Sequence, residues 1–320
     1  MSTRYLATTL AAVVACSACL PTFAQSGVTM WGVMDLGLAR NLGNSGIAMQ
    51  SGAADRFGFR GTEDLGGGTS SFFKLESAFN GQNGELKNQF WVRESIVGLE
   101  GTWGKLTLGR EYTPTLVTMV NADPWWYDTV AGSGQQISLN YSDQWWINGS
   151  ATYSKDLGPF NVAVQVAAKQ GNLNPYVPEA GDAQRPPKGA RVTYADGSAY
   201  VSVAWWDSGI GRSRITAATF KYDFRVAKPY LGFSYGRDLS TSDVLRNVIV
   251  GLVVPFQTSD VRVTFDRFDN LTAHATASQK LAVGYFYYLS KSTSLYTDVA
   301  YDSKASGGKT GFDVGLKTMF

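Results

Sequence analysis

A single antiparallel β-barrel of about sixteen strands that crosses a lipid bilayer is the fold class the sequence predicts. Three observations carry it. Apolar and polar residues alternate with a period of two, in short runs that recur to the last residue. Tight turns and longer polar connections take turns between those runs. An apolar N-terminal segment of secretory type is followed by no second apolar run long enough, about 18 residues, for a helical span.

Residues 1–24 open with the basic Arg4, continue as an apolar run from Leu6 to Leu20 and end in Thr22-Phe23-Ala24. This is the pattern of a signal peptide cleaved before Gln25. A lipobox-like reading of Val13-Val14-Ala15-Cys16 would instead make Cys16 a lipid-anchored N-terminus. Both cysteines, Cys16 and Cys19, lie in this segment, so residues 25–320, expected to form one barrel domain, carry no thiol, disulfide or thiolate metal site. Lysine and arginine total 28 against 26 aspartate and glutamate. Losing Arg4 with the leader leaves a net charge of about +1, too little for a polybasic surface or bulk affinity for nucleic acid.

The strand rhythm is explicit along the chain. Val28, Met30, Met34, Leu36 and Leu38 share one face, with Thr29, Trp31, Val33 and Asp35 on the other. Phe160, Val162, Val164 and Val166 alternate with Asn161, Ala163, Gln165 and Ala167; Leu281, Val283, Tyr285, Tyr287 and Leu289 align; and Phe312, Val314, Leu316 and Phe320 oppose Asp313, Gly315 and Lys317. One strongly apolar face at period two is the pattern of a half-buried strand. No stretch shows a comparable helical period.

Turn signals place strands at 28–39, 54–62, 69–80, 89–99, 105–111, 147–155, 160–169, 189–195, 199–207, 213–223, 227–236, 244–254, 260–268, 278–289, 294–301 and 310–320. Their length, typically about 9 to 11 residues, is what a tilted strand needs to cross a bilayer. Tight connections such as EDLGGG, GTWG, ADGS and LSKST alternate with long ones such as RNLGNSGIAMQSGA and QGNLNPYVPEAGDAQRPPK. Short turns on one rim and long loops on the other describe an outer-membrane barrel.

A soluble β-sandwich also alternates. Against it stand the uninterrupted meander, which closure would leave without edges, and aromatics near strand ends: Tyr153, Tyr194, Trp205, Trp206, Tyr235, Tyr287, Tyr288, Tyr301 and Phe320. Such residues belong in girdles at the two membrane interfaces.

The stretches AQSGVTMWGVMDLGLA, DRFGFRGTEDLGGG, FFKLESAFN, WVRESIVGLEGTWGKLTLGREY, YYLSKSTSLYTDVAY and VGLKTMF resemble the general trimeric porins of Gram-negative outer membranes, in their β-proteobacterial form. FRGTEDLGGG and LSKSTSLY are specific, whereas residues from about 113 to 275 diverge. The resemblance implies a homotrimer of 16-stranded barrels in outer-membrane lipid, each with a water-filled pore narrowed by an inward-folded third loop. It also implies that Arg56 and Arg93 belong to a basic cluster on the barrel wall.

The long gap between Tyr112 and Ile147 contains Pro124-Trp125-Trp126-Tyr127-Asp128. It is too long for an ordinary compact-domain loop, and a wide lumen accommodates it. There, Asp123, Asp128 and Asp143 are expected to reach water, while Trp125, Trp126 and Tyr127 pack on the wall. A surface loop whose tryptophans bind a partner or lipid is the competing reading. Facing the loop, alternation sends Phe57 and Phe59 to lipid and Arg56 and Arg60 to the lumen; it likewise sets Lys74 and Glu76 opposite the lipid-facing Phe73 and Leu75. Arg93 shares parity with Val97 and Leu99, and Arg110 with Leu106 and Leu108, so each needs a bulge or a trimer contact to fit. Where porins commonly carry a further arginine, this chain has Gln144, Trp145 and Trp146, which implies a tighter, more aromatic constriction.

Such charges on opposite sides of a narrow waist favour polar solutes and ions, with a mild preference for anions. Enzymatic readings fail on inventory. The single histidine, His274, has no partnered serine and acid, no phosphate-cradling glycine loop precedes a helix, and metal-ligand spacing is absent. No cofactor is expected; calcium at loop carboxylates stays open. A non-conducting or solute-specific barrel serving as an adhesin or structural protein is the alternative function.

Overall fold

The computed structural model describes residues 27–87, 89–133, 145–169 and 184–320. The leader, Asp143 and Gln144 lie outside the described residues. Seventeen strands form one closed sheet: β1 (Gly27–Arg40), β2 (Ala48–Ser51), β3 (Arg56–Gly66), β4 (Thr69–Ala78), β5 (Glu94–Gly101), β6 (Gly104–Tyr112), β7 (Trp146–Leu157), β8 (Phe160–Ala167), β9 (Lys188–Ala195), β10 (Ala199–Asp207), β11 (Arg214–Tyr222), β12 (Lys228–Arg237), β13 (Val244–Pro255), β14 (Ser259–Asn270), β15 (Ala275–Tyr288), β16 (Thr293–Asp302) and β17 (Thr310–Met319). Sixteen of them build the wall. Among the described residues the short β2 pairs only with the end of β1.

Each wall strand runs antiparallel to its neighbour, and β17 returns to β1 from Val33↔Met319 to Arg40↔Phe312. The opposite edge of β1 pairs with β3. The seam is finished by Gly32 and Phe320, whose amides donate to each other's carbonyl oxygens at 2.9 and 3.1 Å. Closure pairs each wall strand with a neighbour on both sides, the condition for a sheet to stand in hydrocarbon.

Burial follows the period of two. In β16, Ser294, Tyr296, Asp298, Ala300 and Asp302 are buried, while Leu295, Val299 and Tyr301 are exposed. Exposed Leu231, Phe233, Val250, Leu252, Phe265, Leu281, Val283, Val314 and Leu316 continue that outer face around the barrel. An apolar band of this extent on one chain is a lipid-facing surface. Trp205, Tyr235, Tyr285, Tyr287 and Tyr301 point outward as girdle residues should. Trp206 does not, because its parity turns it inward, where it is buried against Ile147 and Ala167.

Two local departures from the expected elements matter for the lumen. The strand expected from 89 begins only at Glu94, so Arg93 precedes β5 and is freed from strand alternation. The register shifts between Gly109 and Glu111, and Arg110 there donates to Val92 O at 2.7 Å and to Asn148 Oδ1 at 2.6 Å. That shift is the bulge its parity required. In addition, a helix absent from the sequence reading, α1 (Pro114–Val120), follows β6. Pro114 occupies its first turn, where the missing N–H costs nothing. With seven residues it is too short to display a helical period.

Candidate functional site

The described stretch that follows β6, residues 113–133, lies against the inner face of the wall. Thr118 Oγ1 meets Ser202 Oγ of β10 at 2.9 Å, and Thr219 Oγ1 of β11 donates to Thr118 O at 2.7 Å. Further along, Arg262 Nη1 of β14 donates to Pro124 O at 2.9 Å, Trp125 Nε1 donates to Asp298 Oδ1 of β16 at 2.8 Å, and Val130 N donates to Asp313 Oδ2 of β17 at 2.8 Å. Lys280 Nζ of β15 donates to Gly132 O, and Lys317 Nζ of β17 pairs with Asp128 Oδ2 at 3.0 Å. Glycines make this close approach possible. A Cβ on Gly232 would stand 2.5 Å from Ala122 Cβ, and one on Gly284 would stand 2.9 Å from the Trp125 ring, so both positions exclude larger residues while the loop is seated.

Asp123 corrects the expectation that it reaches water. It is fully buried, and its carboxylate accepts the amides of Trp125 (2.9 Å), Tyr127 (3.2 Å) and Ser133 (2.7 Å). It organises the loop from within. Burial pushes this carboxyl above the usual range, opposed by those amides and by Lys280. The tryptophans also divide. Trp125 is buried, as expected, whereas Trp126 is 62% exposed and does not pack on the wall. The cause is backbone geometry: φ is +56° at Trp126 and +70° at Tyr127. These left-handed values reverse the chain and leave the second indole facing the lumen.

Opposite the loop, β3 and β4 set Arg60 against Lys74 and Gly58 against Glu76, so the expected residues share the inner face. Glu76 is the hub. It bonds Arg93, lies 3.1 Å from Lys74 and 3.5 Å from Arg56 Nε, and is almost wholly buried. Lys74 also bonds Glu94, which faces Glu76 across the β4–β5 ladder. Arg93 Nη2 donates to Tyr112 Oη at 2.6 Å, and its guanidinium lies 5.3 Å from the Trp146 ring. Three cations thus surround two carboxylates. Arg60 stays outside this knot, exposed and away from the cavity.

Between wall and loop lies a cavity of about 450 Å³, lined by Trp31, Arg56, Lys74, Glu76, Arg93 and Tyr112 on one side and by Leu116, Trp126, Tyr127, Asp128 and Trp145 on the other. Among the described residues no group of three or more His, Cys, Asp or Glu side chains is placed to hold a metal ion. Glu94 and Tyr112 escaped the sequence reading, although Glu94 is the next inward acid along the ladder from Glu76. Asp298, Asp313 and Lys317 carried the inward-parity signal, but nothing in sequence pointed to their loop partners.

The family model for Gram-negative porins matches residues 7–307. The chain is a Gram-negative porin. It is 27% identical over 316 residues to outer membrane porin protein 32 of Delftia acidovorans, covering 87% of this chain and 84% of that one. A 110-residue stretch is 33% identical to an outer membrane porin protein of Bordetella pertussis, covering 28% of this chain and 29% of that one. In fold, this porin resembles the anion-selective porin from Comamonas acidovorans (TM-score 0.75, 23% identity, 92% of this chain and 100% of that one). It also resembles OmpF of Salmonella typhi in complex with daunomycin (TM-score 0.74, 16% identity, 92% and 98%). This porin resides in the outer membrane and forms a channel for passive diffusion of small hydrophilic solutes and ions.

Proposed function

We propose that the channel prefers anions mildly, that its waist lies between the Arg56–Lys74–Arg93 cluster and Trp126–Asp128, and that it performs no enzymatic chemistry. The observation that carries the preference is the excess of cations in the cluster that borders the cavity. Arg56, Lys74 and Arg93 outnumber Glu76 and Glu94 by one charge, while Asp128 across the waist is neutralised by Lys317. With Asp123 buried, the loop contributes less negative charge than its sequence promised, so the transverse field is set by the wall. The preference of the Comamonas acidovorans protein, named as anion-selective, supports the same sign. In a planar bilayer under a KCl gradient, the reversal potential should give chloride a permeability above that of potassium. Equal or cation-favouring permeabilities would contradict this, and a silent barrel would return the adhesin or structural reading.

The active form, in our reading, is a C3 homotrimer of leaderless chains. Phe57, Phe59, Phe90 and Trp91 form an aromatic cluster on the outer face of β3 and the β4–β5 connection, with ring centroids 4.5 to 6.5 Å apart. Phe90 is half exposed on the single chain, and an unpartnered cluster of this kind suits contact between copies. Light scattering of mature protein in mild detergent should give the mass of three chains beginning at Gln25. The mass of one chain would contradict the trimer.

A further inference from the structure

Trp126 is costly to hold where it is. Three non-glycine residues within four positions, Trp126, Tyr127 and Thr129, adopt positive φ values of 56°, 70° and 63°. Such strain persists only where surrounding structure over-determines it, and it concentrates at ligand clamps. Here the buried Trp125 fixes the chain before it and the Asp123 carboxylate holds the amides of Tyr127 and Ser133 after it, and the product is an indole presented to an open cavity instead of to a core. Held there, the indole offers an aromatic face to whatever enters the cavity, as the aromatic linings of small-molecule sites do.

The opposite wall states the chemistry of that occupant. Trp31 on that wall adds aromatic surface to that of Trp145 on the loop side, and the cationic cluster supplies the polar end. Lys74 and Arg93 are committed to Glu76 and Glu94. Arg56 is less so: its Nη1 donates to Ala54 O, its Nε lies 3.5 Å from Glu76, and its Nη2 has no acceptor among the described residues. A guanidinium with an unused edge beside aromatic faces fits a carboxylate carried on a flat ring. The cavity volume, about 450 Å³, falls in the range of small-molecule sites.

We infer that the waist of this porin is a recognition site for aromatic carboxylates, with Arg56 taking the carboxylate and Trp126 the ring. The inference rests on the proposed channel reading and adds a substrate class to it. The test uses the full porin in planar bilayers carrying KCl, with benzoate, cyclohexanecarboxylate, acetate or benzyl alcohol added to one side. Benzoate should interrupt the KCl current at concentrations about tenfold lower than acetate or cyclohexanecarboxylate, and benzyl alcohol should be without effect. Trp126→Leu should abolish the advantage of benzoate over cyclohexanecarboxylate, Trp126→Phe should keep it, and Arg56→Gln should weaken all three acids. A wild-type channel that conducts KCl but treats benzoate and acetate alike would overturn the inference alone. A barrel that carries no KCl current would overturn the channel reading and the inference together.

Discussion

Replacing Trp125 with alanine should raise single-channel conductance, make the open current noisy and admit larger uncharged solutes, while the barrel still folds. Trp125 is the main aromatic anchor of the β6–β7 loop: it is buried, it covers Gly284, and it donates to Asp298. Truncating a buried tryptophan costs about 3 to 5 kcal/mol. Loss of a hydrogen bond to a charged acceptor is worth about 1.5 to 3 kcal/mol, partly within the same total. The remaining tethers, to Arg262, Lys280, Asp313 and Lys317, keep the loop attached. It should therefore loosen without leaving the lumen. The wall is closed independently of the loop through the β1–β17 seam, so heat-resistant barrel structure should persist. Conductance and graded-sugar exclusion check this, and an unaltered size cutoff would remove the constricting role from the loop. Trp126→Ala, lacking a packing partner on the wall, should leave loop position much less affected.

Neutralising the wall should have the largest effect on selectivity. In Arg56→Gln/Arg93→Gln, the cluster changes from one excess positive charge to one excess negative charge, with Lys74 alone facing Glu76 and Glu94. The chloride-to-potassium permeability ratio should fall below one. The fall should be steeper at about 0.01 M salt, where the Debye length is about 30 Å, than at about 0.1 M, where it is about 10 Å. Glu76 is nearly inaccessible, so loss of Arg93 also strains the cluster; removing one partner of a buried pair typically costs about 3 to 5 kcal/mol. Adding Glu76→Gln should relieve that strain and return the ratio toward its starting value. An unchanged ratio in the double variant would place selectivity elsewhere.

The barrel was legible in the sequence because a lipid-facing wall leaves little freedom: outward positions are mostly apolar, and alternation records it. Trp31, Arg56, Lys74 and Glu76 were readable from that same parity. The loop was not, because its order comes from long-range contacts that carry no period. Asp123 looks like a solvated loop acid until its three amide partners are seen. Trp125 and Trp126 are adjacent and identical in chemistry, and only the positive φ at Trp126 separates an anchor from a lumen-facing ring. Arg93 and Arg110 violated parity because each sits at a backbone irregularity, one ahead of β5 and one in the register shift near Glu111.

The most direct measurement of an open lumen narrowed by this loop uses the scarcity of cysteine, found only at positions 16 and 19. In a Trp126→Cys porin reconstituted in a planar bilayer, a small anionic thiol reagent should react rapidly, lower the KCl current and shift the reversal potential away from chloride. The same reagent on Trp125→Cys should react far more slowly. A Trp126→Cys channel that conducts unchanged after exposure to the reagent, or a barrel that passes no current before it, would contradict the account.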